Sequence, residues 1–177
     1  ATLGIVGMGR IGMAVARRAQ AFGMVVVYAE SVPRPEADGL GARRMELAEL
    51  LATSDVVTIH VALTDQTRHL IDEAALRLMK PSAYVVNTSR GPVIDEAALA
   101  RALSGGWIAG AGLDVYEHEP QVEPALLELE NVVLLPHLGS ATTRTRSEMS
   151  RVAATNLVAA LTGTRPPNLV NPEVLDR

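Results

Sequence analysis

The sequence predicts an α/β fold: a parallel sheet with helices on both faces, in three layers. Three observations predict it. Short apolar runs alternate with longer stretches of helical periodicity. Nearly half the residues (48%) are hydrophobic but only 3% are aromatic, so the core must be built of Val, Leu, Ile and Ala, as in helix-covered parallel sheets. Finally, Gly, Pro, Ser, Asn or charged residues bound almost every run.

The first strand is read at residues 3–6, followed by a helix over 11–21 and a second strand at 24–28. Helix 46–52 leads to strand 56–60, helix 72–79 to strand 83–87, and helix 95–103 to strand 108–113. A sixth strand at 132–135 precedes a long helix over 142–161. Asp72 and Asp95 stand where side-chain caps belong, and Lys80-Pro81 and Gly105-Gly106 end the preceding helices. At 177 residues the chain supports one compact core, assigned to residues 1–162. The tail, 163–177, holds three prolines and little periodicity and is read as an extended arm.

A net charge of −4 with dispersed arginines gives no electrostatic footprint for nucleic acid. The absence of cysteine removes disulfides, thiolate metal sites and thiol nucleophiles, and no metal site is read from the remaining residues. No apolar stretch approaches the roughly 20 residues of a spanning helix, so no membrane partner is expected and the location is read as cytoplasmic. The chain opens at Ala1-Thr2-Leu3-Gly4-Ile5-Val6, already inside a strand and without Met, which suggests a domain excised from a longer polypeptide.

Gly7-Met8-Gly9-Arg10-Ile11-Gly12 follows the first strand directly and opens an amphipathic helix. In that setting Gly7 permits the tight turn, Gly9 lets backbone approach a pyrophosphate, and Gly12 allows close helix–strand packing. The fold is therefore read as a doubly wound, Rossmann-type sheet that binds a dinucleotide beyond the carboxyl ends of its strands. Glu30 ends the second strand 18 residues after Gly12, where an acid meets the adenosine ribose and repels a 2′-phosphate, favouring NAD over NADP. Arg34 leaves NADP open, because a guanidinium shortly after that strand can accept the extra phosphate.

Three later loops offer ionisable residues after a strand: Asn87-Thr88-Ser89-Arg90-Gly91, Gly112-Leu113-Asp114-Val115-Tyr116-Glu117-His118-Glu119-Pro120, and Leu135-Pro136-His137-Leu138-Gly139-Ser140-Ala141-Thr142. A guanidinium grips a carboxylate, a carboxylate orients an imidazole, and a histidine moves protons near neutral pH. That chemistry does not choose among Glu117, Glu119 and Glu123, or between His118 and His137.

Taken in order along nearly the whole chain, these motifs resemble the D-2-hydroxyacid dehydrogenase family, with Leu3-Gly4-Ile5-Val6-Gly7 and His60-Val61-Ala62-Leu63-Thr64 as further points of likeness. The resemblance implies hydride transfer between NAD(H) and a small 2-oxo or 2-hydroxy acid such as glyoxylate, hydroxypyruvate or glycerate. It implies that Arg90 holds the substrate, that Glu119 is the acid partner, and that His137 is the general acid/base. It also puts Arg10 and Ile11 at the pyrophosphate, Val61, Ala62 and Thr67 on the adenosine side, Thr88 and Asp114 beside the nicotinamide, and His60 at a strand end lining the cofactor cleft. Ser89, Gly139 and Ser140 complete the expected cofactor surface. Glu117, Glu123 and His118 then become solvated loop residues and His69 a surface residue. Two positions depart from the family pattern: Ala62 replaces the usual proline, and Glu30 the commoner aspartate.

The resemblance also implies a homodimer formed through this domain, and a second domain that closes over the cleft. A chain lacking that domain is expected to bind cofactor and to turn over substrate poorly. Other readings on the same fold are an NAD(H)-sensing corepressor and a phosphite dehydrogenase. Formate dehydrogenase is disfavoured because glutamine there partners the histidine, where Glu119 stands here.

Overall fold

The computed structural model describes residues 1–176, which divide into a unit spanning Ala1–His137 and a second unit that begins at Leu138. The first unit opens with β1 (Thr2–Val6), α1 (Arg10–Ala21) and β2 (Val25–Ala29). A short α2 (Pro35–Asp38) and a two-residue β3 (Arg43–Arg44) follow. Then come α3 (Leu47–Thr53), β4 (Val56–Ile59), α4 (Glu73–Leu78), β5 (Tyr84–Asn87), α5 (Glu96–Ser104), β6 (Gly110–Leu113), α6 (Pro124–Leu127) and β7 (Val132–Leu134).

All seven strands are parallel, in the order β3-β2-β1-β4-β5-β6-β7. The doubly wound α/β fold is as expected, with one strand more than the six read from sequence. That strand, Arg43–Arg44, carries no apolar signal; it is a sheet edge recruited by pairing with Val27 and Tyr28. The short helices α2 and α6, each opened by a proline, were likewise not foreseen.

Two apolar clusters flank the sheet. Leu50, Leu51, Leu76, Leu99 and Leu126 of α3 to α6 pack with Val27, Val57, Ile59 and Val85. Ala16, Ala19 and Ala37 of α1 and α2 pack with Leu3, Ile5, Val26 and Tyr28. The alternation of Val26, Val27 and Tyr28 between clusters is the period-two signature of a strand covered on both faces. The expected caps form: Asp72 accepts from the Ala75 N–H and Asp95 from the Ala98 N–H, at 2.8 and 2.9 Å.

Register is what positions the site. Val6, Ala29, Ile59, Asn87, Leu113 and Leu134 are paired partners in one row across six strands. The next residues along the chain, Gly7, Glu30, His60, Thr88, Asp114 and Leu135, therefore emerge side by side at the carboxyl edge. The order of strands reverses between β1 and β4, and a crevice opens above that point, the place where open α/β sheets take ligands.

The second unit is built on α7 (Thr143–Leu161), capped by Thr142, whose hydroxyl accepts from the Thr145 N–H at 3.1 Å. Its tail returns to that helix. The Asn168 N–H donates to Asn156 Oδ1 at 2.9 Å, and Asn156 Nδ2 donates back to Asn168 Oδ1 at 3.1 Å. Among the described residues no helix is long and apolar enough to cross a membrane.

Candidate active site

The glycine loop leaves β1 with Gly7 at φ +95°, a conformation that favours glycine. A Cβ there would lie 2.8 Å from the His60 carbonyl carbon, so the turn also seats the end of β4. A Cβ on Gly12 would strike the Gly7 carbonyl oxygen, which locks α1 against the turn. Gly9 differs: a Cβ there meets nothing within 4 Å, so its backbone faces open space. No side chain caps α1 at Gly9 and no acid sits in its first turn, where Arg10 and Ile11 lie exposed. An open face over an uncapped helix terminus with a positive dipole end fits a diphosphate.

Beside this loop lies a cleft of about 560 Å³ lined by Gly7, Gly9, Glu30, His60, Val61, Ala62 and Thr67, among others. Seven residues expected at the cofactor thus share one cavity. Thr67 shapes its far wall, donating to the Ala62 carbonyl at 2.6 Å and accepting from the Thr64 N–H at 2.7 Å. His60 is half-buried, its Nε2 3.0 Å from Thr58 Oγ1, and burial pushes its imidazole below the usual histidine range. Ser31, Arg44, Met45, Glu46 and Leu47 also line the cleft and were not anticipated; Ser31 follows Glu30 at the exit of β2, and the other four arrive with the unforeseen strand β3 and its exit.

Glu30 is held by the loop it was expected to serve beside. Its Oε2 accepts from the Met8 N–H at 3.0 Å, and its Oε1 accepts from the Ser31 N–H and hydroxyl at 3.0 and 3.1 Å. Arg34 stands 3.7 Å from Oε2, while Arg44 donates to the Glu30 and Ser31 carbonyls. One guanidinium thus stands beside the carboxylate and the other holds the backbone that carries it.

At the other end of the edge, buried Asn87 organises the arginine loop. Its Oδ1 accepts from the Ser89 N–H and hydroxyl at 3.0 and 2.9 Å, and its Nδ2 donates to the Arg90 carbonyl at 3.0 Å. Arg90 is left exposed, with Thr88 beside it. Asp114 is buried, its N–H donating to the Asn87 carbonyl at 3.0 Å, which ties the β5 and β6 loops together.

Glu119 and His137 meet: His137 Nδ1 is 3.0 Å from Glu119 Oε2, and both side chains remain partly open to solvent. His137 has φ +55°, an uncommon setting for a non-glycine residue, which turns the ring back toward the acid. The imidazole beside it holds the Glu119 carboxyl below the ordinary carboxylate range, helped by the Tyr116 N–H and by the Arg90 charge. A second cavity of about 520 Å³ adjoins the pair, walled by Tyr116, Val122, Leu134 and Leu135. Arg90, Glu119 and His137 are thus brought to one edge. Gly139 and Ser140 belong to the second unit.

One expectation is corrected. Glu117 is not a solvated loop residue: it is largely buried, with its Oε1 2.6 Å from Nε2 of His69, whose ring stays partly exposed at the surface. Neither sequence neighbourhood signals the pair, because 48 residues separate them. His118 is exposed, as expected.

A doubly wound sheet with a phosphate-ready glycine loop and a histidine–carboxylate pair on the same edge defines the nucleotide-binding domain of a dehydrogenase. The chain belongs to the D-isomer specific 2-hydroxyacid dehydrogenase family, matching its NAD binding domain over residues 1–139. It is 56% identical over 176 residues to the glyoxylate reductase of Korarchaeum cryptofilum, covering 98% of this chain and 53% of that protein. The crystal structure of a glyoxylate reductase from Paecilomyes thermophila superposes with a TM-score of 0.85 at 48% identity, over 98% of this chain and 52% of the other. An NADPH-dependent glyoxylate/hydroxypyruvate reductase from Sinorhizobium meliloti, solved with NADP and malonate, gives a TM-score of 0.84 at 43% identity, over 89% of this chain and 49% of that one. The chain spans about half the length of the relatives it matches.

Proposed function

We infer that this chain is the cofactor half of an NAD(H)-dependent reductase of small 2-oxo acids, with glyoxylate and hydroxypyruvate as the favoured substrates. The observation that carries this reading is the His137–Glu119 pair at 3.0 Å on the edge that also bears the cofactor cleft and Arg90. When bound, NADH supplies the hydride that reduces the 2-oxo carbon.

Arg90 is exposed and offers paired donors to the substrate carboxylate, the geometry a guanidinium suits best. His137 is engaged through Nδ1, so Nε2 is the atom left to give a proton to the developing alkoxide. Glu119 fixes the ring's orientation by accepting from Nδ1. In the oxidising direction neutral His137 takes the hydroxyl proton instead. Glu30, anchored at the ribose end, favours NAD over NADP, although Arg34 and Arg44 beside it keep NADP open. A homodimer is the assembly that the family resemblance supports, and a cytoplasmic location is the one the composition favours.

The test is an assay of the full-length polypeptide with glyoxylate, hydroxypyruvate, pyruvate and phosphohydroxypyruvate against NADH and NADPH, and with phosphite against the oxidised cofactors. Reduction of glyoxylate or hydroxypyruvate is expected. Turnover of phosphite alone would move the assignment to phosphite dehydrogenase. Cofactor binding with no turnover of any substrate would favour the corepressor.

A further inference from the structure

The Tyr116–Glu117 peptide is where the three loops bearing Arg90, Glu119 and His137 meet. We propose that buried Glu96 and the His69 imidazole are positioning residues, which hold this peptide and so set the spacing of Arg90, Glu119 and His137. The proposal rests on the acid/base roles given above to His137 and Glu119.

Each loop reaches the peptide by a separate contact. The Tyr116 N–H donates to Glu119 Oε1 at 3.1 Å, fixing the carboxylate whose other oxygen meets His137. The Tyr116 hydroxyl donates to the Leu135 carbonyl at 2.7 Å, two residues before His137. Gly91, the residue after Arg90, packs so closely that a Cβ on it would collide with the Tyr116 carbonyl and the Glu117 nitrogen. Movement of this one peptide therefore displaces all three side chains.

Two groups outside the site hold the peptide. Glu96, in the first turn of α5, is buried and accepts from the Glu117 N–H. The His69 ring meets the Glu117 carboxylate at 2.6 Å, and the His69 backbone N–H donates to the Pro92 carbonyl at 2.8 Å, which seats the residue beside the arginine loop. His69 has φ +50°, so backbone strain is accepted to aim this ring. A carboxylate sequestered from water is costly unless its oxygens are satisfied, and Glu96 faces the backbone N–H groups and the carboxylates of Glu117 and Glu123. A core contact would not require such a group. An acceptor that fixes a backbone N–H does.

Groups that orient catalytic side chains at one remove typically cost 10–100-fold when lost, and displacements near 1 Å reach about 100-fold. In the full-length polypeptide assayed with glyoxylate and NADH, Glu96→Ala should lower kcat roughly 10–100-fold with the KM for NADH within about twofold, because the cleft at β1 and β4 is untouched. Glu96→Gln keeps an oxygen facing the Glu117 N–H and should restore kcat to within about threefold of wild type, and His69→Ala should lose about 3–10-fold.

His137→Asn serves as the parallel control. If it is inactive while Glu96→Ala and His69→Ala both keep wild-type kcat, the positioning proposal is overturned and the acid/base reading stands. If His137→Asn is fully active, the acid/base reading itself has failed. Unchanged kcat in only one of the two variants, with or without a lowered Tm, marks that residue as a merely structural tie and overturns the proposal for it. Should Glu96→Ala not fold, His69→Ala decides alone, since its half-exposed ring can be removed without opening the core.

Discussion

His137 Nδ1 and Glu119 Oε2 lie 3.0 Å apart although 18 residues separate them, joined because β6 and β7 are neighbours whose exits point the same way. The pair is too exposed to matter much for stability. In the full-length polypeptide, His137→Asn should reduce kcat by roughly 100-fold or more, and Glu119→Gln by at least about tenfold, both with NADH affinity nearly unchanged. Steady-state kinetics beside a fluorescence titration with NADH would check this, and a matched fall in cofactor affinity would place the residues in binding instead.

Two of the loop glycines, Gly7 and Gly9, should separate cleanly. Gly7→Ala forces a side chain into a positive-φ position 2.8 Å from His60 and should cost about 1–3 kcal/mol of stability. Gly9→Ala meets no neighbour, so stability should stay within about 0.5 kcal/mol, while the methyl occupies space needed by the diphosphate and weakens NADH binding about tenfold or more. Melting curves and binding titrations on both variants decide it; unchanged NADH affinity in Gly9→Ala would remove the diphosphate from that spot.

Glu30 sits between Arg34 and Arg44, and its negative charge opposes a 2′-phosphate. Glu30→Ala should raise kcat/KM with NADPH relative to NADH by about tenfold, equivalent to ~1.4 kcal/mol. A ratio that does not move would mean that the ribose end does not discriminate through this carboxylate.

Burial pushes the Glu96 carboxyl above the ordinary carboxylate range, and the Glu117 and Glu123 carboxylates push the same way against the backbone N–H groups. With the folded value raised, the folded chain binds more protons than the unfolded one between the two values. This contribution to stability is therefore fully present below the unfolded value and is lost as pH rises through the raised one. Glu96→Gln cannot ionise, so its Tm relative to wild type should be more favourable at pH 8 than at pH 5. Thermal denaturation at both values tests this, and a difference independent of pH would contradict it.

Much of the molecule was legible because its signals are local. The turn after β1 was legible because its spacing is local: Gly7, Gly9 and Gly12 lie within six residues, and a Cβ on Gly12 would strike the Gly7 carbonyl oxygen. The Asp72 and Asp95 caps were equally plain, being contacts over three residues. Strand β3 was not legible: two arginines have no strand propensity, and only the waiting edge of β2 gives them one. With it came Arg44 and the lower wall of the cleft.

By itself the sequence determined the alternation of strand and helix, the phosphate loop, and through family resemblance the candidate trio Arg90, Glu119 and His137. Chemistry alone had left Glu117 and Glu119 equivalent. Tertiary structure separated them, sending Glu119 to His137 and Glu117 to His69. The reason is geometric: these partners lie 18 and 48 residues apart, and only the common register of parallel strands brings their loops to one edge.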